Sequence, residues 1–349
     1  MKILITGGSG FIGSNFIKYW FKNHPEDSII NLDKMTYAAN PRNLVEFENK
    51  PNYKFVKGDI LDEKIVDELV SQVDTVVHFA AESHVDRSID DPSLFVKTNV
   101  LGTYILLNAA KKHQIKRFHH ISTDEVFGTI EIDSTDQFSE ATPYDPSSPY
   151  SASKAAADHL VRSFFKTFGL PVTISNCSNN YGPYQHPEKM IPRSITNLLS
   201  GDKIKVYGQG LNFRDWLHVE DHCSAIEAIL LKGKIGETYC IGGAKKGTNN
   251  MELVRMILKL MNKGEDSLEY VADRPAHDNY AVNWDKINKE LGWEPQYDLE
   301  SGLKQTVDWY TQNQTWWQET KKEAEEFYIK LNNRPVKGGV PQSGTEGLK

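Results

Sequence analysis

The chain opens on a short β-rich run, Lys2-Ile-Leu-Ile-Thr6, and turns at once through Gly7-Gly-Ser-Gly10-Phe-Ile-Gly13. An amphipathic helical pattern follows, with Phe16, Ile17, Trp20 and Phe21 on its apolar side. Strand, glycine turn and helix constrain the fold more than any other stretch, because together they form the first half of a βαβ unit. The glycines let backbone approach a pyrophosphate, which the unpaired N–H groups of the helix's first turn then stabilise. The spacing is Gly-x-x-Gly-x-x-Gly, not the commoner Gly-x-Gly-x-x-Gly. A plain tight turn is the competing reading, and the flanking strand and helix favour a dinucleotide over it.

The second strand, Ser28-Ile-Ile-Asn-Leu-Asp33, ends in an acid about 20 residues after the glycine loop, where a carboxylate accepts bonds from an adenosine ribose. This favours NAD over NADP, although Lys34 follows directly. Tyr53–Ile60 reads as a third strand, residues 62–72 as helix, and Asp74–Ala81 as a nearly continuous apolar strand suited to a parallel position buried on both faces. A helix is expected from about Pro92 to Lys112, a fifth strand over Arg117–Ile121, a helix over Pro149–Phe168 and a sixth strand over Leu170–Asn176. The alternation predicts an α/β fold, a Rossmann-type doubly wound parallel sheet. Ligands bind such sheets at the carboxyl ends of the strands, so the glycine loop, Asp33, Asp59, Ala80-Ala81 and Thr123-Asp124-Glu125 should open onto one crevice.

Beyond residue 178 the regular alternation stops. Helices near 191–200, 220–232, 249–262 and 299–313 mix with short strands near 204–207 and 237–241. The expected organisation is an NAD-binding domain over 1–178 and a smaller mixed α/β, mainly substrate-binding part over 179–331. A tail over 332–349, rich in Gly, Pro and polar residues, is expected to be disordered.

Between the fifth strand and the next helix lies the densest chemistry. Ser122-Thr123-Asp124-Glu125 comes at a strand end, and Tyr150 and Lys154, four apart, share one helix face. A lysine ammonium beside a phenol lowers its pKa toward that of a useful base. Tyr-x-x-x-Lys also occurs by chance on solvated helix faces, and two adjacent acids also occur in solvated loops. Both acids can reach one substrate only if the strand ends by Asp124.

Composition narrows the classes further. The 349 residues are 39% hydrophobic and 25% charged, an ordinary globular balance, and the net charge of -7 gives no reason to expect nucleic acid or an acidic membrane as partner. No apolar run approaches the ~20 residues of a membrane span, and no signal-peptide pattern leads the chain. Cys177, Cys223 and Cys240 match no disulfide or zinc pattern, so buried reduced thiols in the cytoplasm are expected. His119 and His120 are adjacent on a strand and should point apart, which argues against a shared metal; no metal is expected.

These motifs together resemble the extended short-chain dehydrogenase/reductase family over nearly the whole chain, to about Leu331. The substrate-specific signals are Ala80-Ala-Glu-Ser-His-Val-Asp-Arg-Ser88, Ser122-Thr-Asp-Glu-Val126, Cys177-Ser-Asn-Asn-Tyr-Gly-Pro-Tyr184 and Asp273-Arg-Pro-Ala-His-Asp278. They resemble the branch whose members dehydrate nucleotide sugars across C5 and C6, with dTDP-glucose the implied substrate, a 4-keto-6-deoxy sugar the product and a homodimer the expected assembly. The resemblance implies that Tyr150, supported by Lys154 and Thr123, takes the C4 hydroxyl proton. Glu125 would take the C5 proton and a protonated Asp124 would protonate the departing C6 hydroxyl. For NAD it implies Gly7, Gly10, Phe11, Ile12 and Gly13 at the pyrophosphate and Asp33, Lys34, Met35 and Thr36 at the ribose. Asp59 and Ile60 fall at the adenine, with Phe79, Ala80, Ala81, Thr98 and Asn180 on the path to the nicotinamide. For the nucleotide sugar it implies Ser83 and Thr123 at the hexose. Asn179, Lys189, Met190, Lys205, Tyr207, Arg214, Asn249, Arg274 and His277 fall at the diphosphate and nucleoside. Three positions depart from the family pattern: Phe127 stands for tyrosine, Lys205 for proline and Ala276 for glycine.

Other readings remain open on the sequence. A UDP-hexose 4-epimerase shares the fold, NAD and the Tyr/Lys pair, but does not need Asp124-Glu125. A 4,6-dehydratase for another nucleotide sugar would use the same acids, and a non-enzymatic NAD-binding module would need none of them.

Overall fold

The computed structural model describes residues 1–131, 134–243, 247–272 and 278–332. The first part alternates β1 (Lys2–Thr6), α1 (Phe11–Asn23), β2 (Ser28–Asp33), β3 (Tyr53–Lys57), α2 (Glu63–Val70) and β4 (Thr75–His78). It continues through α3 (Val85–Asp90), α4 (Pro92–Phe95), α5 (Thr103–Lys112), β5 (Arg117–Thr123), α6 (Pro149–Phe168) and β6 (Val172–Cys177). These strands and a later one, Thr238–Ile241, form a seven-stranded parallel sheet in the order Thr238–Ile241, β6, β5, β4, β1, β2, β3.

The central strands are buried on both sides because both faces are covered, whereas β3, at the sheet's edge, leaves Lys54, Phe55 and Lys57 exposed. Leu4, Leu32, Val76, Phe118 and Val172 join the core under α2, α5 and α6. Ile3, Ile5, Ile29, Val77 and Ile121 join a second core under α1 and the helix Val219–Lys232. Ile3, Leu4 and Ile5 are each 0% exposed, and burying such a side chain stabilises the fold by ~1.5–3 kcal/mol. Strand order reverses between β1 and β4, which opens a crevice above their carboxyl ends.

Strand ends differ from where the sequence reading placed them, two falling earlier and two later, for local reasons. The third strand stops at Lys57, where Asp59 turns the chain by accepting from the Leu61 N–H at 3.0 Å. The fourth stops at His78, after which the Ala80 N–H turns to Thr6 Oγ1 at 3.3 Å. The fifth runs past Ile121 to Thr123, and a 3₁₀ turn over Asp124–Phe127 follows. The expected helix from Pro92 to Lys112 contains a π-helical stretch, Val96–Gly102. There Asn99 bonds both the Glu82 N–H, at 2.9 Å, and the Glu82 carbonyl, at 3.0 Å, and so ties this stretch to the loop after β4.

α6 spans the limits read from the sequence. Ser148 caps it, accepting from the Ser151 N–H at 3.1 Å while Ser151 Oγ accepts from the Ser148 N–H at 3.0 Å, and Gly169 ends it at φ 69°.

The second part has its own core, built from the helices Met190–Ser200, Asn250–Leu260, Leu299–Gln312 and Gln314–Asn332 around the parallel pair Ile204–Tyr207 and Leu268–Val271. The sequence reading placed the first three of these helices and omitted the last, as it omitted α3 and the helix Asp285–Leu291. Thr238–Ile241 and Val219–Lys232 lie beyond residue 178 in sequence, yet they pair with β6 and pack on α1. Residues 333–349, most of the expected tail, lie outside the described residues.

Candidate active site

Two adjoining cavities open above the carboxyl ends of the strands. The larger, about 310 Å³, takes its floor from the glycine loop. Gly7 sits at φ 73°, and a Cβ on Gly13 would stand 2.4 Å from the Gly7 carbonyl oxygen, so the turn closes only with glycine there. Gly10 differs: a Cβ there would meet only the Gly7 carbonyl oxygen, at 3.4 Å, and the residue lines the cavity. Gly7, Gly10, Phe11, Ile12 and Gly13 all line it, with the N-terminus of α1 behind them.

At the far wall, Asp33 accepts from the Ser9 N–H at 2.9 Å and the Met35 N–H at 2.8 Å, while burial pushes its pKa up despite these bonds. Lys34 pairs with Asp59 at 2.7 Å. That pairing bears on the objection Lys34 raised at the sequence level, because its ammonium is engaged by a carboxylate. Thr36, Ile60, Phe79, Ala80, Ala81, Thr98 and Asn180 complete the lining. Met35 alone of the expected cofactor set does not line the cavity; it stands at φ 58° and contributes its N–H to Asp33. Thr98 reaches the cavity from the π-helical stretch.

The glycine cradle, the open side of Gly10 and the buried ribose-side carboxylate fit NAD. They provide close backbone approach, helix-terminal N–H groups and an acceptor without a phosphate-binding cation beside it.

Thr123, Glu125, Tyr150 and Lys154 line the same cavity where it meets the second one. The strand ends at Thr123, and the 3₁₀ turn that follows carries both acids. Glu125 lines both cavities. Asp124 is 1% exposed and lines neither; its Oδ1 accepts from Thr123 Oγ1 at 3.3 Å, and its Oδ2 is buried without a hydrogen-bond partner. Burial, then the charges of Glu125 and Asp215, push its pKa well above its ordinary value, which favours the neutral acid.

Tyr150 and Lys154 do not form the simple pair expected of them. Burial and the Glu125 charge hold the Tyr150 phenol well above its ordinary pKa, opposed by a hydrogen bond with Thr123. Lys154 donates to the Ile121 carbonyl at 2.7 Å, and burial lowers its pKa against the pull of Asp158. The expected lowering of the phenol pKa is thus not present in this arrangement, because desolvation and the Glu125 charge outweigh the Thr123 hydrogen bond.

The second cavity, about 220 Å³, runs from Glu125 into the second part of the chain. Ser83, Asn179, Lys189, Met190, Lys205, Tyr207 and Arg214 line it, and Lys189 donates to the Ser83 carbonyl at 3.1 Å. Arg214 donates to the carbonyls of Phe213 and Asp278 and lies 4.8 Å over the Tyr280 ring. Asn249 lines neither cavity: its Oδ1 caps the helix Asn250–Leu260 through the Glu252 N–H at 2.8 Å, and Asn250 faces the cavity instead. Arg274, His277 and Ala276 lie outside the described residues. Phe127 is buried against Phe138 and Tyr144, with ring centres 5.3 and 5.2 Å away, so the departure from tyrosine falls in a small apolar core. Lys205 is exposed at the cavity wall.

The sequence reading missed Glu188, which lines both cavities at 4% exposure and faces Arg87 at 3.4 Å. A lone acid in a loop between Pro187 and Lys189 carries no periodic signal that would have marked it.

A doubly wound parallel sheet with a glycine cradle, Tyr150/Lys154 and a second cavity joined at a carboxylate defines an extended short-chain dehydrogenase/reductase that binds NAD. The chain belongs to the GDP-mannose 4,6 dehydratase family, whose model matches residues 4–306. It is similar to dTDP-glucose 4,6-dehydratase of Mycobacterium tuberculosis H37Rv, 49% identical over 330 residues, covering 94% of this chain and 98% of that one. Among solved structures, it resembles the dTDP-glucose 4,6-dehydratase of Streptomyces venezuelae with NAD bound. That likeness has a TM-score of 0.88 at 46% identity and covers 92% of this chain and 100% of the other. A UDP-glucose 4-epimerase from Thermotoga maritima shares the fold at TM-score 0.83 but only 27% identity, over 90% of this chain and 100% of that one.

Proposed function

We propose that this protein is a dTDP-glucose 4,6-dehydratase, a hydro-lyase that converts dTDP-glucose to its 4-keto-6-deoxy derivative. One observation carries the reading. Glu125 lies where the cofactor cavity meets the second cavity, and its neighbour Asp124 is held neutral by burial. A base and a protonated acid side by side are what elimination of water across C5 and C6 requires, and an epimerase has no use for them.

When bound, NAD supplies reversible two-electron chemistry, oxidation at C4 first and reduction at C6 last. The chain's own residues move the protons. Tyr150 Oη takes the C4 hydroxyl proton, with Thr123 bonded to the phenol. The C5 proton, made acidic by a ketone at C4, goes to the Glu125 carboxylate. Asp124 gives its proton to the C6 hydroxyl, which leaves as water. In the ligand-free arrangement the Asp124 carboxyl stands back from both cavities, and such catalytic contacts tighten when substrate binds. Lys189, Tyr207 and Arg214 bind the diphosphate and nucleoside, as do Arg274 and His277 by resemblance. Residues 1–178 supply most of the cofactor site, and 179–331 most of the sugar-nucleotide site.

The protein works as a homodimer in the cytoplasm. The π-helical stretch, α5 and α6 expose Leu101, Tyr104 and Phe168 at 48%, 42% and 53%, apolar surface suited to a second copy. Three free buried cysteines suit a reducing compartment. Tyr104→Glu should convert a dimer to monomer in sedimentation velocity; an unchanged dimer would exclude this face.

Mass spectrometry of dTDP-glucose incubated with the protein tests the function. Loss of one water is expected, with GDP-mannose and UDP-glucose reacting far more slowly. An isomer of unchanged mass would establish an epimerase instead.

A further inference from the structure

One face of α6 carries Tyr150, Lys154, Asp158 and Arg162 at steps of four, and only the first two have a role in the chemistry above. Asp158 is 0% exposed. A buried carboxylate is costly unless it is paired and fully bonded. Its Oδ2 accepts from Ser122 Oγ at 2.9 Å, Tyr144 Oη at 2.7 Å and Asn176 Nδ2 at 3.2 Å. Its Oδ1 lies 3.2 Å from His120 Nε2. The same nitrogen lies 3.5 Å from Lys154 Nζ. His120 is therefore set between the ammonium and a carboxylate, on the inner side of the catalytic residues.

His120 Nδ1 and Asp158 Oδ1 are both buried without a hydrogen-bond partner, so the 3.2 Å approach of Asp158 Oδ1 to His120 Nε2 is an electrostatic contact. The ring is neutral: burial and Lys154 lower its pKa to about 4. Burial would raise the Asp158 pKa, but His120, Lys154 and Tyr144 outweigh it and keep the carboxylate ionised. Of Lys154's neighbours, Asp158 pulls its pKa up most strongly, against burial. The other groups facing this cluster are His78 on β4, with its ring centre 5.3 Å from His120, and Cys177 on β6. Arg162 adds a bond to Tyr144 Oη at 2.6 Å. His119 points to the opposite face, toward Thr173 and Ser175.

We propose that Asp158 is the positioning residue of Lys154: its buried carboxylate, across His120, balances the ammonium and holds it at the Ile121 carbonyl, one helical turn from Tyr150. Asp158 touches no reacting atom. The inference rests on Lys154 supporting Tyr150, and goes beyond it by assigning the counter-charge that keeps a fully buried lysine protonated.

Asp158→Asn keeps the shape and removes the charge. The alkaline limb of kcat/KM for dTDP-glucose dehydration should then move to lower pH by about one unit, because Lys154 loses its proton sooner. KM should change little. A merely structural role would scale the whole profile without moving the limb, and that result would overturn the proposal. A second measurement needs neither turnover nor a folded D158N. Lys154→Met leaves the Asp158 charge buried and unbalanced, so the double variant K154M/D158N should melt above K154M. A double variant melting below K154M would overturn the proposal even if the wild-type protein dehydrates dTDP-glucose. Conversely, a wild-type protein with no dehydratase activity would sink the functional reading, while the melting comparison still reports on the Lys154–Asp158 coupling.

Discussion

Two glycines of one loop should fail in different ways when given a methyl group. In Gly13→Ala the new Cβ would stand 2.4 Å from the Gly7 carbonyl oxygen and 2.8 Å from Gly8 Cα, both backbone atoms that no rotamer change can move. Overpacking of this kind costs ~1–3 kcal/mol, a fall of several degrees in melting temperature. In Gly10→Ala the Cβ meets only the Gly7 carbonyl oxygen, at 3.4 Å, and the backbone at φ -79° suits alanine. Stability should therefore stay within about 1 kcal/mol of wild type, the loss of a neutral helix-capping residue included. The methyl group would stand in the cavity where the diphosphate of NAD must approach, so NAD affinity should fall more than tenfold, at least ~1.4 kcal/mol. Scanning calorimetry reads the first effect and isothermal titration with NAD the second. A Gly10→Ala protein that binds NAD like wild type would refute the assignment of this loop as the diphosphate cradle. A Gly13→Ala protein that melts like wild type would refute the packing argument.

Asp124→Asn copies the neutral acid and removes its proton, so turnover should fall by ~10²–10⁴ while the fold is retained. The sign of its stability effect follows from the raised folded pKa. The wild type is favoured at low pH and loses that advantage as pH rises toward the folded value, whereas the variant does not, so D124N should gain on wild type in melting temperature as pH increases. Glu125→Gln should abolish exchange of the C5 hydrogen with deuterated solvent; exchange at the wild-type rate would remove Glu125 as the base. Tyr150→Phe should lower kcat by at least ~10² with NAD affinity intact, and a variant that turns over normally would move the first proton transfer elsewhere.

Much of this was legible because the relevant signals are local. The glycine loop, the apolar strands and the Tyr150/Lys154 spacing each state their geometry in fewer than twenty residues, and α6 begins and ends at the expected residues because Ser148 and Gly169 are strong caps. What the sequence concealed depends on contacts between distant segments. The π-helical stretch exists because Asn99 holds the loop at Glu82. The helix Gln314–Asn332 has a weak apolar pattern and is anchored from outside itself, with Trp316 donating to Asn43 at 2.8 Å and Arg193 gripping Glu325 at 2.9 Å. The sequence places Asn249 at the diphosphate and nucleoside, whereas its side chain caps a helix and lines neither cavity, a placement that depends on which way one side chain turns. The pKa of Tyr150 is set by burial, which no residue spacing reveals.

The return of Thr238–Ile241 to the sheet restricts how such a protein can change. The chain builds the nucleotide platform, leaves it after β6, and comes back to cover that strand's outer edge before leaving again. A cut at residue 178 would uncover the β6 ladder and strip α1 of the helix beside it, leaving an aggregation-prone fragment. The sugar-nucleotide half is therefore not a removable cassette. New specificity must come from substitutions along the cavity wall or from changes in loop length, because the two halves fold as one interleaved unit.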